Sequence, residues 1–414
     1  MFHRWAESRW KDAFAEPYVQ ILFGARQTGK STLLRHLLPS PSLRLDFSHP
    51  GKRSSYLSRP EQLIQICLAM PQTDPPPAIV IDEAQNVPPI FDAVQHLYDQ
   101  DPHRWRFVLC GSSARKLRVL GTNLLPGRCM VSHLYPLTTA ERPCAEAASV
   151  TLSPPSPLPW PAPPSRLDPW PAPDLITRLA WGELPGIVNA KESARPDLLR
   201  SYTETYLSEE LRREALVKEW AAFSRFLQLA ASESGQIVNY SKLAAESGIS
   251  HPTVKSHYEL LEDMFIGFRI PAFSRSSRKG VLSTPRFYFF DIGVRHAAAG
   301  LAPSADTVLA DPGRFLEHWV GVELWKRLQY LRDGQLSYFR TKDGVEIDFV
   351  LERHGVYTPI EVKWTENPSS RDARHLVKFL KEHGDKAPHG YIVCRCAYPM
   401  QIHPKITALP WFCL

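Results

Sequence analysis

Apolar positions along this chain change rhythm several times. Near the N-terminus short apolar runs, Tyr18–Phe23, Ala78–Ile81 and Trp105–Cys110, stand apart from a helical stretch at Thr32–Leu38. Runs of that length with no polar alternation predict strands of a parallel sheet buried on both faces. From Leu175 to Leu229 the spacing becomes helical, with apolar residues three and four apart: Leu199, Tyr202, Tyr206 and Leu207, then Phe223, Phe226 and Leu227. Residues 237–270 predict a compact helical unit. Strand-like runs then return as RFYFFDIGV, QLSYFRT, VEIDFVLE, YTPIEVKW and GYIVCRC, with helical stretches around 313–330 and 370–383. The last third therefore reads as a separate α/β domain. No internal repeat is visible.

One segment fits neither rhythm. Between Pro154 and Pro173 ten of twenty residues are proline, too few backbone donors for helix or sheet, so an extended polyproline-like loop is expected. Trp160 and Trp170 would either pin it to the neighbouring surface or offer it as a docking ligand.

The chain has 414 residues, 43% hydrophobic and 22% charged, which permits two to four folded domains and excludes disorder throughout. No apolar run approaches the roughly 18 residues that span a bilayer, and the first sixteen residues lack a signal-peptide core. No membrane association is expected. Seven cysteines, an odd number, make no disulfide framework, and Cys394 and Cys396 lack zinc-site spacing. A reduced, cytoplasmic protein is the economical expectation. A net charge of +6 permits nucleic acid as a partner without arguing for it alone.

The sharpest chemistry lies after the first strand. Gly24-Ala25-Arg26-Gln27-Thr28-Gly29-Lys30-Ser31 is a full GxxxxGK[ST] between a strand and a helix, with Thr32 next. Glycines let backbone N–H groups wrap a phosphate, and the helix adds its positive end. Lys30 is expected on the β- and γ-phosphates of ATP and Ser31 on Mg²⁺. The run ending in Asp82-Glu83 would deliver both acids to the same sheet edge. Asp82 would hold Mg²⁺ through its water, and Glu83 would deprotonate the attacking water, which predicts a hydrolase. Ser112, after the third strand, is either a γ-phosphate sensor or a helix cap. Arg128, on a loop beyond the nucleotide edge, suits a finger acting on a neighbouring subunit's phosphate, or is an ordinary surface arginine.

GARQTGKSTLL, IVIDEAQNVP, LCGSSARKL, LPGR and LYPLTTAE, in this order, resemble the prokaryotic AAA+-type P-loop ATPases of the archaeal-ATPase-related group. The resemblance is closest to members with a C-terminal domain long catalogued as of unknown function. It continues through YTETYLSEEL, FYFFDIG, Phe315-Leu316-Glu317 and RTKDGVEIDFV…IEVKW, nearly the whole chain. Two features depart from it: the proline-rich insertion, and SEEL where relatives carry an Arg-Asp pair, which leaves the role of Glu209, Glu210, Arg212 and Arg213 open.

Residues 236–264 have helix-turn-helix spacing: a helix at Lys242–Glu246, a turn at Gly248, and Ser250 capping a helix that opens with Pro252. The exposed face of that second helix would carry His251, Thr253, Lys255, Ser256 and His257. Arg275, Arg278, Lys279 and Arg286 would lie on a hairpin wing; from Arg269 to Arg295 there are six basic residues and one acid. A winged helix contacting DNA is expected, with protein packing as its other use.

The last third holds a second constellation. Glu317 lies on a predicted helix, Asp348 on one strand, and Glu361 and Lys363 two apart on the next. An acid followed by ExK on a hairpin is the pattern of restriction-endonuclease-like folds. Asp348 and Glu361, with Glu317 supporting, would ligate Mg²⁺, and Lys363 would stabilise a hydroxide nucleophile. Tyr338, Arg340 and Lys342 could contact a bound strand.

The expected protein is α/β: an AAA+-type P-loop ATPase domain (1–145), a proline-rich insertion (146–174), a helical lid or linker (175–222), a winged helix (223–300) and a restriction-endonuclease-like domain (301–414). It would hydrolyse ATP with Mg²⁺, form a homo-oligomeric ring and act on DNA. The rival is a nucleotide-gated switch that holds DNA or protein without moving or cutting it.

Overall fold

The computed structural model describes residues 2–14, 16–112, 125–142, 172–207, 219–274 and 284–414. Its contacts gather into two compact units, Met1–Tyr135 with Leu260–Ile266, and Pro136–Glu259 with Gly267–Leu414. The proline-rich run up to Pro171, Glu209 to Arg213 and the basic residues Arg275, Arg278 and Lys279 lie outside the described residues. The last two residues of that run, Ala172 and Pro173, open the helix Ala172–Trp181 instead of extending the loop.

The first unit is built on five parallel strands in the order β2-β3-β4-β1-β5. These are β1 (Val19–Phe23), β2 (Leu43–Asp46), β3 (Ala78–Asp82), β4 (Arg106–Gly111) and β5 (Cys129–His133). All five residues of β1 are buried, as the unbroken apolar run requires of a central parallel strand. Ile21, Phe23, Ile79, Ile81, Phe107 and Leu109 form one core with Ile90, Val94 and Leu97, which recur along one face of the helix Ile90–Gln100. Register then sets the chemistry. Phe23 is level with Gly111 on one side and His133 on the other, and Ile81 is level with Leu109. The loops after β1, β3 and β4 therefore leave the sheet at one edge, where α/β folds bind ligands.

In the second unit, the helix Tyr240–Ser247 ends at Gly248 in the left-handed region (φ 74°). The Ser250 hydroxyl accepts from the Thr253 N–H at the start of the helix His251–Asp263. An antiparallel pair follows, β6 (Gly267–Ile270) with β7 (Arg286–Phe289). The strand expected over 286–294 is shorter than its apolar run. It stops at Phe289, because Asp291 accepts from the Val294 N–H and starts the helix Ile292–Ala298.

A six-stranded mixed sheet ends the chain, in the order β12-β13-β11-β10-β9-β8. Its strands are β8 (Gln335–Arg340), β9 (Glu346–Arg353), β10 (Val356–Val362), β11 (Gly390–Cys394), β12 (Met400–His403) and β13 (Ile406–Pro410). β8, β9 and β10 are antiparallel, whereas β10, β11 and β13 are parallel. The helix Arg374–His383 crosses from β10 to β11 and buries Leu376, Phe379 and Leu380 with Ile347, Val350 and Ile392. The helix Pro312–Leu331 packs on β7, β8 and β10. No helix among the described residues is long and apolar enough to cross a membrane, and Cys67, Cys110, Cys129, Cys394, Cys396 and Cys413 are all unbridged.

Candidate functional site

The phosphate loop runs from β1 into the helix Lys30–Leu37. Gly24 has φ +154°, and a Cβ there would fall 2.3 Å from the Leu134 carbonyl oxygen, so the loop enters under backbone too close for any side chain. Gln27 (φ 62°) and Gly29 (φ 95°) turn the chain through left-handed conformations, the kind of backbone that forms anion-binding hollows. The buried Lys30 ammonium donates to the carbonyls of Gly24 (2.8 Å) and Ala25 (2.9 Å), held across the loop. Thr28 braces the loop by donating to the Ala25 carbonyl, and Arg4 ties it to the first residues of the chain by donating to the Thr28 carbonyl. Arg26 and Ser31 are half-buried, and Gln27 and Thr32 are exposed.

Opposite the loop, β3 ends in Asp82 and then Glu83, whose backbone is left-handed (φ 53°). Asp82 accepts from the Glu83 N–H at 3.0 Å. Ser112 is buried at the end of β4, and its hydroxyl lies 3.4 Å from Glu83 Oε2. Gln85, on the short turn after Glu83, joins them: its amide donates to Glu83 Oε2 (2.5 Å) and to Ser112 Oγ (3.1 Å). The sequence offered Gln85 only as a letter of the DEAQ tetrapeptide; its burial between two strand ends is what the structure adds. Ser31 and Asp82 are hard oxygen donors, partly open to solvent, and their chemistry fits Mg²⁺ shared with a nucleotide.

Arg128 requires a correction. It is not beyond the nucleotide edge but directly before β5, whose first residue Cys129 is level with Val19, the first of β1. Five residues of strand, about 16 Å, separate that edge from the phosphate loop. Arg128 therefore cannot reach its own chain's site. It forms a two-armed ion pair with Asp99 (2.5 and 3.1 Å), which holds the Asp99 carboxyl below its ordinary range.

The second constellation converges. Lys363 donates to Glu361 Oε2 at 2.6 Å, and Asp348 Oδ2 accepts from the Val362 N–H at 2.7 Å. Glu361 is almost fully buried; burial and then Asp348 push it up to about 8. The same two causes push Glu317, on the helix Pro312–Leu331, up to about 8. Burial alone would lower Lys363, but Asp348 and Glu361 outweigh it and raise it. Carboxyls raised first by burial and then by a neighbouring acid have the donor chemistry a divalent cation would ionise. Yet among the described residues no three His, Cys, Asp or Glu side chains form a ready-made metal site. Lys363 pairs with Glu361 on one side and Arg286 with Glu317 on the other.

Arg286 is a second correction. It does lie on the β6–β7 pair, where a hairpin wing is expected, but it is buried rather than open to DNA, bonded to Glu317 (2.7 Å) and to Glu346, with Tyr338 beneath its guanidinium at 4.9 Å. Tyr338 is buried too and donates to the Thr284 carbonyl, so it is not free for a bound strand, while Arg340 and Lys342 are exposed. On the helix His251–Asp263, His251, Lys255 and Ser256 are exposed and Thr253 is half-buried. His257 is not on that face: it packs between Phe223 and Phe226, at 4.8 and 5.1 Å between ring centres, and burial lowers its pKa.

Comparison with known proteins divides the chain in three. Residues 16–142 match a family model described as an AAA domain, and residues 172–305 and 312–414 match two domains of unknown function, DUF8612 and DUF4143. An uncharacterized protein of Mycobacterium tuberculosis is 25% identical over 379 residues, 91% of this chain and 77% of its own. An uncharacterized protein of Haemophilus influenzae is 23% identical over 380 residues, 86% of this chain and 85% of its own. Among solved structures, a DNA polymerase III gamma subunit-related protein from Thermotoga maritima aligns with 62% of this chain and 97% of its own. Its identity is 11% and its TM-score 0.27, too low to carry an argument. The family match and the parallel sheet with its phosphate loop agree: residues 16–142 resemble an AAA domain and have a fold consistent with a P-loop ATPase.

Proposed function

We propose that the protein is a Mg²⁺-dependent ATP hydrolase of AAA+ type that assembles into a ring and acts on DNA. The observation that carries the hydrolase is the meeting of Lys30, Glu83 and Ser112 at one sheet edge beside the phosphate loop. When ATP binds, Lys30 exchanges the Gly24 and Ala25 carbonyls for the β- and γ-phosphates, and the loop of Gly24, Arg26, Gln27, Thr28, Gly29 and Thr32 surrounds them. Ser31, and Asp82 through a water, would hold the Mg²⁺, which would supply charge neutralisation to the phosphates. Glu83 takes the proton of the attacking water, and Ser112 touches the γ-phosphate. Arg128, remote from its own site, serves the neighbouring subunit, which is the reason for a ring.

Residues 223–300 act as a winged helix, with His251, Lys255 and Ser256 toward DNA. Residues 301–414 act as the restriction-endonuclease-like domain, with Glu317, Asp348 and Glu361 toward Mg²⁺ and Lys363 toward the nucleophile. The proline-rich insertion and the helical linker complete the five-part division. One observation favours the rival reading for the C-terminal domain, a DNA clamp that does not cut: Arg286 and Lys363 already occupy Glu317 and Glu361 as partners. The test is to incubate the protein with Mg²⁺, ATP and single-stranded, duplex or branched DNA. Cleavage that Asp348→Ala abolishes while ATP hydrolysis continues supports a nuclease. ATP-dependent binding with no cleavage under Mg²⁺ or Mn²⁺ supports the clamp. Neither binding nor cleavage of any DNA removes the DNA reading.

A further inference from the structure

The DEAQ tetrapeptide leaves one side chain unused. Gln85 is 3% exposed on the turn Ala84–Asn86, reached directly from Glu83. Its amide nitrogen has two N–H groups, and the structure spends both: one on Glu83 Oε2 at 2.5 Å, the other on Ser112 Oγ at 3.1 Å. These acceptors stand at the ends of two different strands, β3 and β4, and both belong to the hydrolytic site. The opposite end of the amide is left wanting. Among the described residues Gln85 Oε1 is buried with no hydrogen-bond partner. It lies against Gly111, where a Cβ would come within 2.5 Å of it. Turning the amide over would face a carbonyl oxygen toward the Glu83 carboxylate, so the orientation follows from the acceptors. An orphaned acceptor in a buried position calls for an explanation. Here the donor end is held where two reactive groups need it, at the expense of the other end.

We propose that Gln85 is a positioning residue for ATP hydrolysis. It fixes the Glu83 carboxylate in one orientation and links it to Ser112, so that the group that takes the proton from water and the group that touches the γ-phosphate move together. Gly111 is part of the device, because it alone leaves room for the amide. The inference rests on Glu83 being the group that activates water.

The experiment is a double-mutant cycle in the full chain, with kcat and KM for ATP and the affinity for a fluorescent ATP analogue. Gln85→Ala removes the donor, and Gln85→Met removes it while keeping the volume. Each should lower kcat by about 10²-fold, the scale of a reacting group misplaced by an ångström, with KM and analogue affinity changed by less than about threefold. In a Glu83→Gln background the same substitutions should lower kcat by less than about twofold, since Gln85 acts only through Glu83. Equal losses in both backgrounds would mean that Gln85 merely supports the fold and would overturn the proposal. So would normal turnover in Gln85→Met. Normal turnover in Glu83→Gln alone would instead remove the parent reading, and this one with it.

Discussion

Glu183 offers a direct test of how the second unit is held together. Its carboxylate accepts from Arg142 and from Arg178, both at 2.9 Å, and from the Trp319 indole at 3.3 Å. Arg178 is completely buried and Glu183 nearly so. Burial alone would raise the Glu183 carboxyl, but Arg142 and Arg178 outweigh it, and the group stays below its ordinary range and ionised. Glu183→Ala removes one anion and leaves two guanidiniums facing each other. Two charge-assisted hydrogen bonds at ~1.5–3 kcal/mol each and the ~3–5 kcal/mol measured when one partner of a buried pair is deleted agree in scale. Arg178 keeps Asp174 at 2.7 Å and Arg142 keeps the Gly182 carbonyl at 3.2 Å, which favours the lower part of that range. The expected loss is therefore about 3–4 kcal/mol. Urea unfolding followed by tryptophan fluorescence reads it, with Trp319 seated against the lost group. A loss below about 1 kcal/mol would refute the reasoning, since it would assign the network the worth of a surface ion pair.

Glu323 gives the acid limb: Lys326 and Arg327 outweigh burial and pull it from 4.5 down to about 2. Its stabilisation is present above pH 4.5 and lost as pH falls toward 2, so Glu323→Gln should flatten that part of the stability–pH curve and cost roughly 3 kcal/mol near neutrality; an unchanged slope would contradict this. Gly24→Ala forces a Cβ against the Leu134 carbonyl and should abolish binding of a fluorescent ATP analogue, which binding at wild-type affinity would disprove. Arg128→Ala and Glu83→Gln chains should each be inactive, yet regain some ATP hydrolysis when mixed, because some interfaces then pair an intact Glu83 with an intact Arg128. A chain that hydrolyses ATP while monomeric at every concentration would exclude the trans role.

Sequence reasoning reached furthest where spacing alone fixes chemistry. The phosphate loop, Asp82-Glu83 and Ser112 could be placed together because parallel strands deliver their ends to one edge. ExK is expected on one strand; β10 ends at Val362, so Lys363 lies one residue past it, yet it does bond Glu361. Faces were harder. His257 and Arg286 look like surface residues by type, and only packing against Phe223, Phe226, Glu317 and Glu346 turns them inward. The apolar run Phe287–Val294 could not say where strand gives way to helix; the Asp291 cap decides it. β12 and β13 escaped notice because they are only four and five residues long, and β12 is exposed or half-buried throughout. The Arg142–Glu183 pair spans 41 residues, a separation at which no local pattern speaks.

The central claim is that Glu83 performs hydrolysis and Lys30 binds the nucleotide. Steady-state ATP turnover of wild type, Lys30→Ala and Glu83→Gln, read beside equilibrium binding of a fluorescent ATP analogue with Mg²⁺, tests it most directly. The account predicts that Glu83→Gln binds as tightly as wild type while turnover falls by about 10²–10⁴-fold, and that Lys30→Ala loses both. Turnover close to wild type in Glu83→Gln would contradict it.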